Sequence, residues 1–345
     1  MQNKKLTIND IAKMAGVSKT TVSRYINEKY EYMSAETRTR IQKIIETFNY
    51  QPSTVARTLK SQKSNMIGLV VADIESPFSS AVIKSIGDAL EEKNYYTIIG
   101  NANNSYEQEQ RVIRSMQAQH VDAFIVNTVS TYNSFLIRQA NDGVPIVLLD
   151  RFVMDYNFDI AYISNKRSMK TALFHLLDMG YDSIAFFTQA YEDISPRYLR
   201  RQAFIDELEK CGANDAENFV YIVENIEGIK NNIKQVVKSA QMAGKIPAII
   251  AGNGVTMMLV ARGILELGLK MPHDIGLLGY DEWGWASEIG LAEMINVGIT
   301  TLHASTYELG KMTVDILLNR IQNPGMEKQK NSLLSKLYIR KSTML

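Results

Sequence analysis

The chain has little of several features that assign other proteins to a class. Its 345 residues include one cysteine, Cys211, so an intramolecular disulfide framework is impossible and a reducing compartment is indicated. No apolar run reaches the roughly 20 residues of a membrane-spanning helix. Lys4 and Lys5 precede Leu-Thr-Ile-Asn-Asp rather than the apolar core of a signal peptide. We therefore expect a cytoplasmic protein without membrane contact and, at this length, two or three compact units.

Motifs of enzymes and metal sites are missing as well. The chain has no GxGxxG, GxxxxGK(S/T) or HExxH motif, and no GxSxG motif in a strand-turn-helix setting. Its four histidines, His120, His175, His273 and His303, are scattered, and no Cys/His cluster offers a metal site. We expect no catalysis, no cofactor and no bound metal ion.

The small net charge of +1 hides an uneven distribution of charged residues. Residues 1–65 hold 12 Lys and Arg residues against 5 Asp and Glu, whereas the rest of the chain holds 26 against 32. A basic amino-terminal unit suits a phosphate backbone, because each neutralised phosphate releases counterions. Chance unevenness is the alternative explanation, and the local sequence pattern argues against it.

The first fifty residues have the pattern of a helix-turn-helix followed by a third helix. An apolar-patterned helix, Gly16 in a turn and a polar second helix follow one another. Thr7, with Asp10 three residues later, is placed to cap the first helix, Ser18 the second, and the third begins after Ser34. The buried stripe of the third helix is predicted to consist of Ile41, Ile44, Ile45 and Phe48.

A polar second helix of this kind can enter the major groove and hydrogen-bond base edges and phosphates. Pro52 ends the third helix, and a short fourth helix capped by Ser53 should form only where DNA and a partner chain support it. The DNA-binding candidates are Thr7, Ser18, Lys19, Thr20, Thr21, Ser23, Arg24, Asn27, Ser53, Ala56, Arg57 and Leu59.

The strings VSRYIN and NYQPSTVARTLKSQKSNMIGLVV resemble the LacI/GalR family of bacterial repressors. The resemblance places Lys19 and Thr20 at the main base-reading positions of the recognition helix and Arg24 at a further groove-facing position. It matches Leu59 to the hinge leucine that wedges into the minor groove of the operator, with Ala56 as the small residue beside it. The head is therefore expected to recognise a specific DNA sequence.

From residue 66 onward, apolar strands alternate with amphipathic helices. One set of strands reads IGLVVADI, YYTIIGNA, VDAFIVNTV and PIVLLD, and a second set reads AYISN, SIAFFTQ, FVYIVEN, AIIAGN and IGLLGYD. Continuous apolar strands separated by helices imply parallel sheets that are covered on both faces. Two such sets predict an α/β body of two doubly wound subdomains with a cleft between them.

Polar and aromatic residues follow these strands, where open parallel sheets bind ligands. Their carboxylate, amide and guanidinium groups can pair with hydroxyls or with a carboxylate, and aromatic faces pack on the C–H surfaces of a sugar. Asp150, Asn253 and Asp281 could instead cap helices or tie down loops, Arg200 could form a surface ion pair, and Trp283 could be a packing residue. The stretch 189–200 also follows a strand, and the family resemblance singles out its last residue, Arg200. The effector-binding candidates are Asp73, Phe78, Asp150, Arg151, Arg200, Asn253, Asp281 and Trp283.

The family resemblance extends over the body, which it identifies with the type I periplasmic-binding-protein fold. It implies that Arg200, Asn253 and Asp281 contact the effector. Ser164 stands where the family usually has Asp, and Ala304 where it often has Gln, which indicates an effector other than galactosides or purines. The string GYDEWGWASEIG resembles the regulators of 2-keto-3-deoxygluconate and hexuronate use.

The predicted domain organisation combines these units. A DNA-binding head spans residues 1–50, a hinge helix and linker span 51–65, and an effector-binding and dimerisation domain spans 66–345. The resemblance implies chain crossings near residues 163, 296 and 325, so that 66–163 with 297–324 form one subdomain and 164–296 with 325–345 the other.

Together these features predict a dimeric transcription regulator, a repressor of a carbohydrate-use operon. Its expected partners are palindromic operator DNA, a second copy of the chain, and a small sugar, sugar acid or sugar phosphate that acts allosterically. The alternatives are a non-regulatory cytoplasmic sugar-binding protein and an enzyme of sugar metabolism. A pure binding protein would not need the basic head.

Overall fold

A computed structural model of the protein describes residues 6–50, 64–282 and 297–345. The chain divides between Asn65 and Met66 into two compact units, the head and the body. No helix within these described ranges is long and apolar enough to cross a membrane. Five predicted site residues lie outside the described residues: Ser53, Ala56, Arg57, Leu59 and Trp283.

The head contains three helices with the predicted caps: α1 (Ile8–Ala15), α2 (Lys19–Ile26) and α3 (Ala35–Thr47). Thr7 and Asp10 form a reciprocal capping box, in which the Thr7 hydroxyl accepts the Asp10 N–H at 3.3 Å and the Asp10 carboxylate accepts the Thr7 N–H at 2.8 Å. Ser18 and Ser34 cap the next two helices through their hydroxyls. Gly16 ends α1 with a left-handed φ of 60°, a conformation that glycine adopts without steric cost.

The core of the head differs from the prediction at one position. Phe48 is 50% exposed, because α3 ends at Thr47 and the chain leaves the helical register there. Tyr50 is buried instead and belongs to the core of the head. The buried residues of this core are Ile11, Ala12, Ala15, Val22, Ile41 and Tyr50, with Ile44 and Ile45 packed against them.

The first sheet of the body is wholly parallel. Its strands are β1 (Met66–Val71), β2 (Tyr96–Asn101), β3 (Ala123–Val126), β4 (Ile146–Leu149), β5 (Asp159–Ile163) and β11 (Lys330–Leu333). They lie in the order β11-β5-β4-β3-β1-β2. Its helices are α4 (Pro77–Glu91), α5 (Tyr106–Ala118), α6 (Ser134–Asn141) and α11 (Thr306–Gln322). Two apolar clusters pack with this sheet, which explains why its inner strands are continuously apolar.

The second sheet has the same layered arrangement. Its strands are β6 (Ser183–Thr188), β7 (Val220–Ile222), β8 (Pro247–Ala251), β9 (Gly276–Tyr280), β10 (Thr300–His303) and β12 (Lys336–Tyr338), in the order β12-β10-β9-β8-β6-β7. Only the β10–β12 pair among these strands is antiparallel. Its helices are α7 (Asn165–Asp178), α8 (Ser195–Lys210), α9 (Ile226–Ala243) and α10 (Gly254–Glu266).

Strand pairing corrects the predicted division of the body. The first three residues of the string AYISN, grouped above with the second set of strands, lie in β5, which pairs with β4 of the first sheet. β10 pairs with β9 of the second sheet, so the second crossing follows His303 rather than residue 296. β11 pairs with β5 and β12 with β10, which puts the third crossing between Leu333 and Lys336 rather than near residue 325.

A buried ion pair explains why the chain stays in the first subdomain beyond residue 325. Arg320 donates to both carboxylate oxygens of Asp159, at 2.8 and 3.0 Å, and also to the carbonyls of Pro324, Met326 and Glu327. The bend after α11 is thereby fixed to the start of β5. The chain is directed into β11, beside β5, before it crosses.

Helices α4 and α11 approach closely at Gly310. The Ser85 hydroxyl donates to the carbonyl of Thr306 at 3.0 Å. A Cβ at Gly310 would lie 2.1 Å from that hydroxyl oxygen and 3.1 Å from the backbone nitrogen of Ile86. Only glycine therefore fits at position 310 while the two helices stay this close.

Gly310→Ala is expected to lower the free energy of unfolding by about 1–3 kcal/mol, because the two helices must separate. Gly87→Ala on α4 is the matched control, since nothing lies within 4 Å of its Cβ and alanine favours the helix by up to about 1 kcal/mol. Denaturant titration of both variants measures the difference. Equal stabilities would contradict the close contact.

Candidate functional site

The recognition helix α2 presents an exposed polar face. Lys19, Thr20, Arg24 and Asn27 are exposed, and the last three recur at the four- and three-residue spacing of one helical face. Val22 points into the core of the head. Thr21 and Ser23, also predicted to contact DNA, are half-buried. The inner face of the helix therefore packs against the core of the head, and its outer face is exposed.

Some of the predicted DNA contacts already have intramolecular partners. The Asn27 amide donates to the Ser23 carbonyl at 2.7 Å, and the Arg24 guanidinium lies 5.4 Å from the centre of the Tyr32 ring. Within the described residues, the side chains of Lys19 and Thr20 make no hydrogen bond or ion pair. These two side chains are therefore available to bases, whereas Ser18 and Thr7 are engaged as helix caps.

In the body, six of the predicted effector residues meet in one cleft between the two subdomains. Its volume is about 120 Å³. The first subdomain lines it with Ser76, Pro77, Phe78, Asn127, Asp150, Arg151 and Ile163, and the second with Gln189, Ile194, Pro196, Arg197, Arg200, Asn253, Gly254, Val255 and Asp281. Phe152 N–H donates to the Ser195 hydroxyl at 3.0 Å and bridges the two walls. The cleft lies beyond the carboxyl ends of the strands, as predicted.

Arg200 is the most firmly held cation of the cleft. Its Nε donates to Asn165 Oδ1 at 2.7 Å, its Nη1 donates to the Gly252 carbonyl at 2.6 Å, and its guanidinium lies 4.2 Å from the centre of the Tyr280 ring. Nη2 has no hydrogen-bond partner among the residues that the structure describes. Only 6% of the residue is exposed, so this remaining donor is fixed in position at the cleft.

The two cleft aspartates occupy sharp turns after strands. Asp150 has a φ of 60° and Asp281 a φ of 73°, the left-handed region that costs free energy for a residue with a Cβ. Asp150 accepts the Ile163 N–H at 3.1 Å, and Asp281 accepts the Gly254 N–H at 3.0 Å. Each carboxylate therefore both lines the cleft and ties down a neighbouring segment.

Asn253, Gln189 and Arg197 form a chain of hydrogen bonds along the second wall. Asn253 caps α10 through Oδ1, which accepts the Thr256 N–H at 2.8 Å, and its Nδ2 donates to Gln189 Oε1 at 2.9 Å. The same oxygen accepts Arg197 Nη2 at 2.7 Å, while Arg197 Nη1 donates to the Ala190 carbonyl. The asparagine thus acts as a cap and as part of the lining.

Three arginines gather in the cleft without paired carboxylates. No ion pair within the described ranges joins Arg151, Arg197 or Arg200 to Asp150 or Asp281. Burial, together with the neighbouring Arg151 and Arg200, lowers the pKa of Arg197 to about 10. Burial also lowers the pKa of Arg151. Burial raises the pKa of Asp150, and the positive charge of Arg200 acts against that rise. A bound anion would relieve the repulsion between the guanidinium groups.

Asp73 does not line the cleft, although it was a predicted contact. Its carboxylate accepts the Glu75 N–H at 3.0 Å and the Asn104 amide at 3.1 Å, so it fixes the loop after β1. The prediction that Asp73 contacts the effector is therefore replaced by a role in fixing this loop.

Sequence reasoning missed several lining and supporting residues. Asn127 directly follows β3, a signal that could have identified it, and its amide donates to the Leu149 carbonyl at 2.8 Å. Gln189 and Arg197 lie in the stretch 189–200, from which only one residue was chosen. Buried Glu109 carried no sequence signal: it accepts the Val129 N–H at 2.8 Å in the loop whose Thr128 carbonyl holds Arg151.

The described part of the chain has no group of three or more His, Cys, Asp or Glu residues that could hold a metal ion. The site is instead built from guanidinium, carboxylate and amide groups, which bind ligands by hydrogen bonds and charge.

Comparison with known proteins bears on both units. The model of bacterial regulatory proteins of the lacI family matches residues 7–53, and that of periplasmic binding proteins and the sugar binding domain of the LacI family matches residues 64–343. The chain belongs to the LacI family of bacterial regulatory proteins. As a LacI-family member it is a DNA-binding transcription regulator, and the helix-turn-helix head is its DNA-binding unit.

Relatives of this LacI-family chain match it over nearly its whole length. It is 33% identical over 338 residues to the HTH-type transcriptional regulator KdgR of Bacillus subtilis, with 97% of each chain covered. It is 31% identical over 340 residues to the HTH-type transcriptional regulator PtxS of Pseudomonas putida, with 98% of this chain and 96% of the relative covered.

The fold resembles that of the lac repressor dimer bound to operator and the anti-inducer ONPF. The TM-score is 0.83 at 23% identity, with 99% of this chain and all of the other covered. A likeness at this level of identity confirms the predicted LacI-family fold: a helix-turn-helix head and a two-subdomain body.

Proposed function

We propose that this chain represses a carbohydrate-use operon and that a small sugar acid in the cleft controls its binding to operator DNA. The observation that carries the effector class is the cluster of Arg151, Arg197 and Arg200. The proposed assembly is a homodimer on a palindromic operator, because a two-fold dimer places one head on each half-site.

The outer face of α2 supports sequence-specific reading. Lys19 and Thr20 are exposed at the first turn of the helix, where recognition helices contact base edges, and nothing in the described structure occupies their side chains. A lysine can pair with guanine acceptors, and a threonine offers a hydroxyl and a methyl group.

The charge of the cleft supports an anionic effector. Three guanidinium groups face two carboxylates, so the lining carries an excess of positive charge, and the pKa of Arg197 is lowered partly by its arginine neighbours. A ligand carboxylate that accepts from Nη2 of Arg200, beside Arg151 and Arg197, would neutralise this excess. The carboxylates of Asp150 and Asp281 and the amide of Asn253 suit the hydroxyls of the same ligand.

The size of the cleft supports a small effector. At about 120 Å³ the cavity is below the usual range of about 300–1,000 Å³ for drug-sized ligands. Phe78 and Pro77 offer apolar surface to the C–H side of a sugar. A single sugar-acid unit fits these features better than an oligosaccharide.

The proposed role is regulatory rather than catalytic, and a repressor that binds genomic operators acts in the cytoplasm. Incubation with any stabilising compound should therefore leave that compound chemically unchanged. Detection of turnover by NMR spectroscopy would favour the enzyme alternative.

A thermal-shift series with matched compounds tests the effector class. Each stabilising compound at 100 times its Kd should raise the free energy of unfolding by about 2.7 kcal/mol, and the midpoint by roughly 4 °C. We expect this shift with D-gluconate, D-glucuronate or 2-keto-3-deoxy-D-gluconate, and not with D-glucose. A larger shift with the neutral sugar would contradict the proposed class.

A further inference from the structure

Both walls of the cleft contact the first crossing between the subdomains. From the first subdomain, Asp150 Oδ1 accepts the Ile163 N–H at 3.1 Å. From the second subdomain, Arg200 Nε donates to Asn165 Oδ1 at 2.7 Å. Two charged groups of the candidate effector site therefore hold residues that are only two positions apart in the chain.

Asn165 is buried and uses both ends of its amide. It is 2% exposed, and while Oδ1 accepts from Arg200, Nδ2 donates to the Ile163 carbonyl at 3.0 Å. It is also the first residue of α7, directly after β5 and the crossing residue Ser164. Its side chain thus joins the last residue of a strand in one subdomain to an arginine of the other.

The first and third crossings are bonded to each other at the same place. Ser164 N–H donates to the Leu333 carbonyl at 2.9 Å, and the Ser168 hydroxyl donates to the Ser335 hydroxyl at 2.8 Å. A movement of Asn165 can therefore affect the first and the third crossing together.

We infer that Asn165 is a positioning residue that links the effector-binding arginine to the crossings, and this inference rests on the proposed function of the cleft. Asn165, the Gly252 carbonyl and the Tyr280 ring fix three sides of the Arg200 guanidinium, which aims Nη2 at the ligand. When a ligand carboxylate or hydroxyl accepts a hydrogen bond from Nη2, the guanidinium group shifts. The hydrogen bond from Nε to Asn165 then transmits this shift to the first crossing. Occupancy of the cleft and the mobility of the crossings then change together.

Hydrogen exchange of the ligand-free full-length chain tests this link without DNA or effector. Asn165→Ser and Arg200→Ala are each expected to speed exchange in peptides covering residues 160–168 and 330–336 by about tenfold, the effect of one buried hydrogen bond. The double variant should exchange no faster than either single variant. Asn165→Ala is the second variant at this site, and exposed Lys166→Ala is the matched control that should leave exchange unchanged.

Non-additivity is the readout that a purely space-filling role of Asn165 would not produce. If Arg200→Ala leaves the crossings unchanged, or if the two effects multiply in the double variant, the link is refuted. Equal acceleration by Lys166→Ala would also refute it, because helix fraying would then explain the result.

Calorimetric titration with D-gluconate is the second arm. Asn165→Ser is expected to weaken gluconate binding about tenfold, the effect of one buried hydrogen bond, and to have no further effect in the Arg200→Ala background. Unchanged gluconate affinity in Asn165→Ser would contradict the positioning role. Failure of the unmodified chain to bind gluconate, glucuronate or 2-keto-3-deoxygluconate would count against the proposed effector class, and the exchange experiment would still decide the role of Asn165.

Discussion

Replacement of Arg200 by alanine is expected to abolish the response to the effector and to leave operator binding without effector unchanged. Arg200 offers Nη2 to the cleft, and its other donors are held by Asn165 and Gly252. Removing one partner of a buried, hydrogen-bonded charge pair costs about 2–5 kcal/mol, which is roughly a 30-fold to several-thousand-fold loss of affinity.

The measurement is operator binding by fluorescence anisotropy over a range of effector concentrations. Arg201→Ala is the matched control, because Arg201 is the neighbouring arginine of α8, does not line the cleft and pairs with Glu217. The control should respond to effector as the unmodified chain does. A normal response in Arg200→Ala would remove this residue from the effector site.

Replacement of Lys19 by alanine is expected to lower affinity for the operator by about 1–3 kcal/mol, or roughly 5- to 150-fold, because a direct contact with a base edge would be lost. Lys19 lies at the start of α2 and makes no hydrogen bond or ion pair among the described residues, so its removal leaves the fold of the head unchanged. Affinity for random duplex should fall much less, since that binding depends on total charge.

Lys43→Ala on α3 is the charge-matched control for this experiment, since it removes one exposed cation outside the recognition helix. This variant should weaken binding to operator DNA and binding to random DNA to the same small extent. If Lys19→Ala behaves in the same way as Lys43→Ala, Lys19 contacts phosphate and does not read bases.

The sequence predicted well those features that depend on local chemistry. Thr7, Ser18 and Ser34 cap their helices because a hydroxyl before a helix satisfies free N–H groups whatever surrounds it. Asp150, Asn253 and Asp281 reach the cleft because parallel strands bring their carboxyl ends to one edge. The same rule could have identified Asn127.

The sequence predicted poorly those features that depend on distant contacts. The third crossing is set by the pairing of Arg320 with Asp159, which are 161 residues apart, so no local pattern marks it. Phe48 continues the helical periodicity, but α3 ends one residue earlier. Asp73 follows a strand as the cleft residues do, but its carboxylate accepts a hydrogen bond from the Asn104 amide and fixes the loop after β1 instead.

Reciprocal titration tests most directly whether the cleft controls the head. After selection of an operator from genomic fragments, the Kd for operator is measured with and without a saturating sugar acid from the thermal-shift series, and the Kd for that sugar acid with and without operator. Linkage requires both constants to change by the same factor, which we expect to be about 5- to 150-fold. Two constants that do not respond to each other would contradict the account.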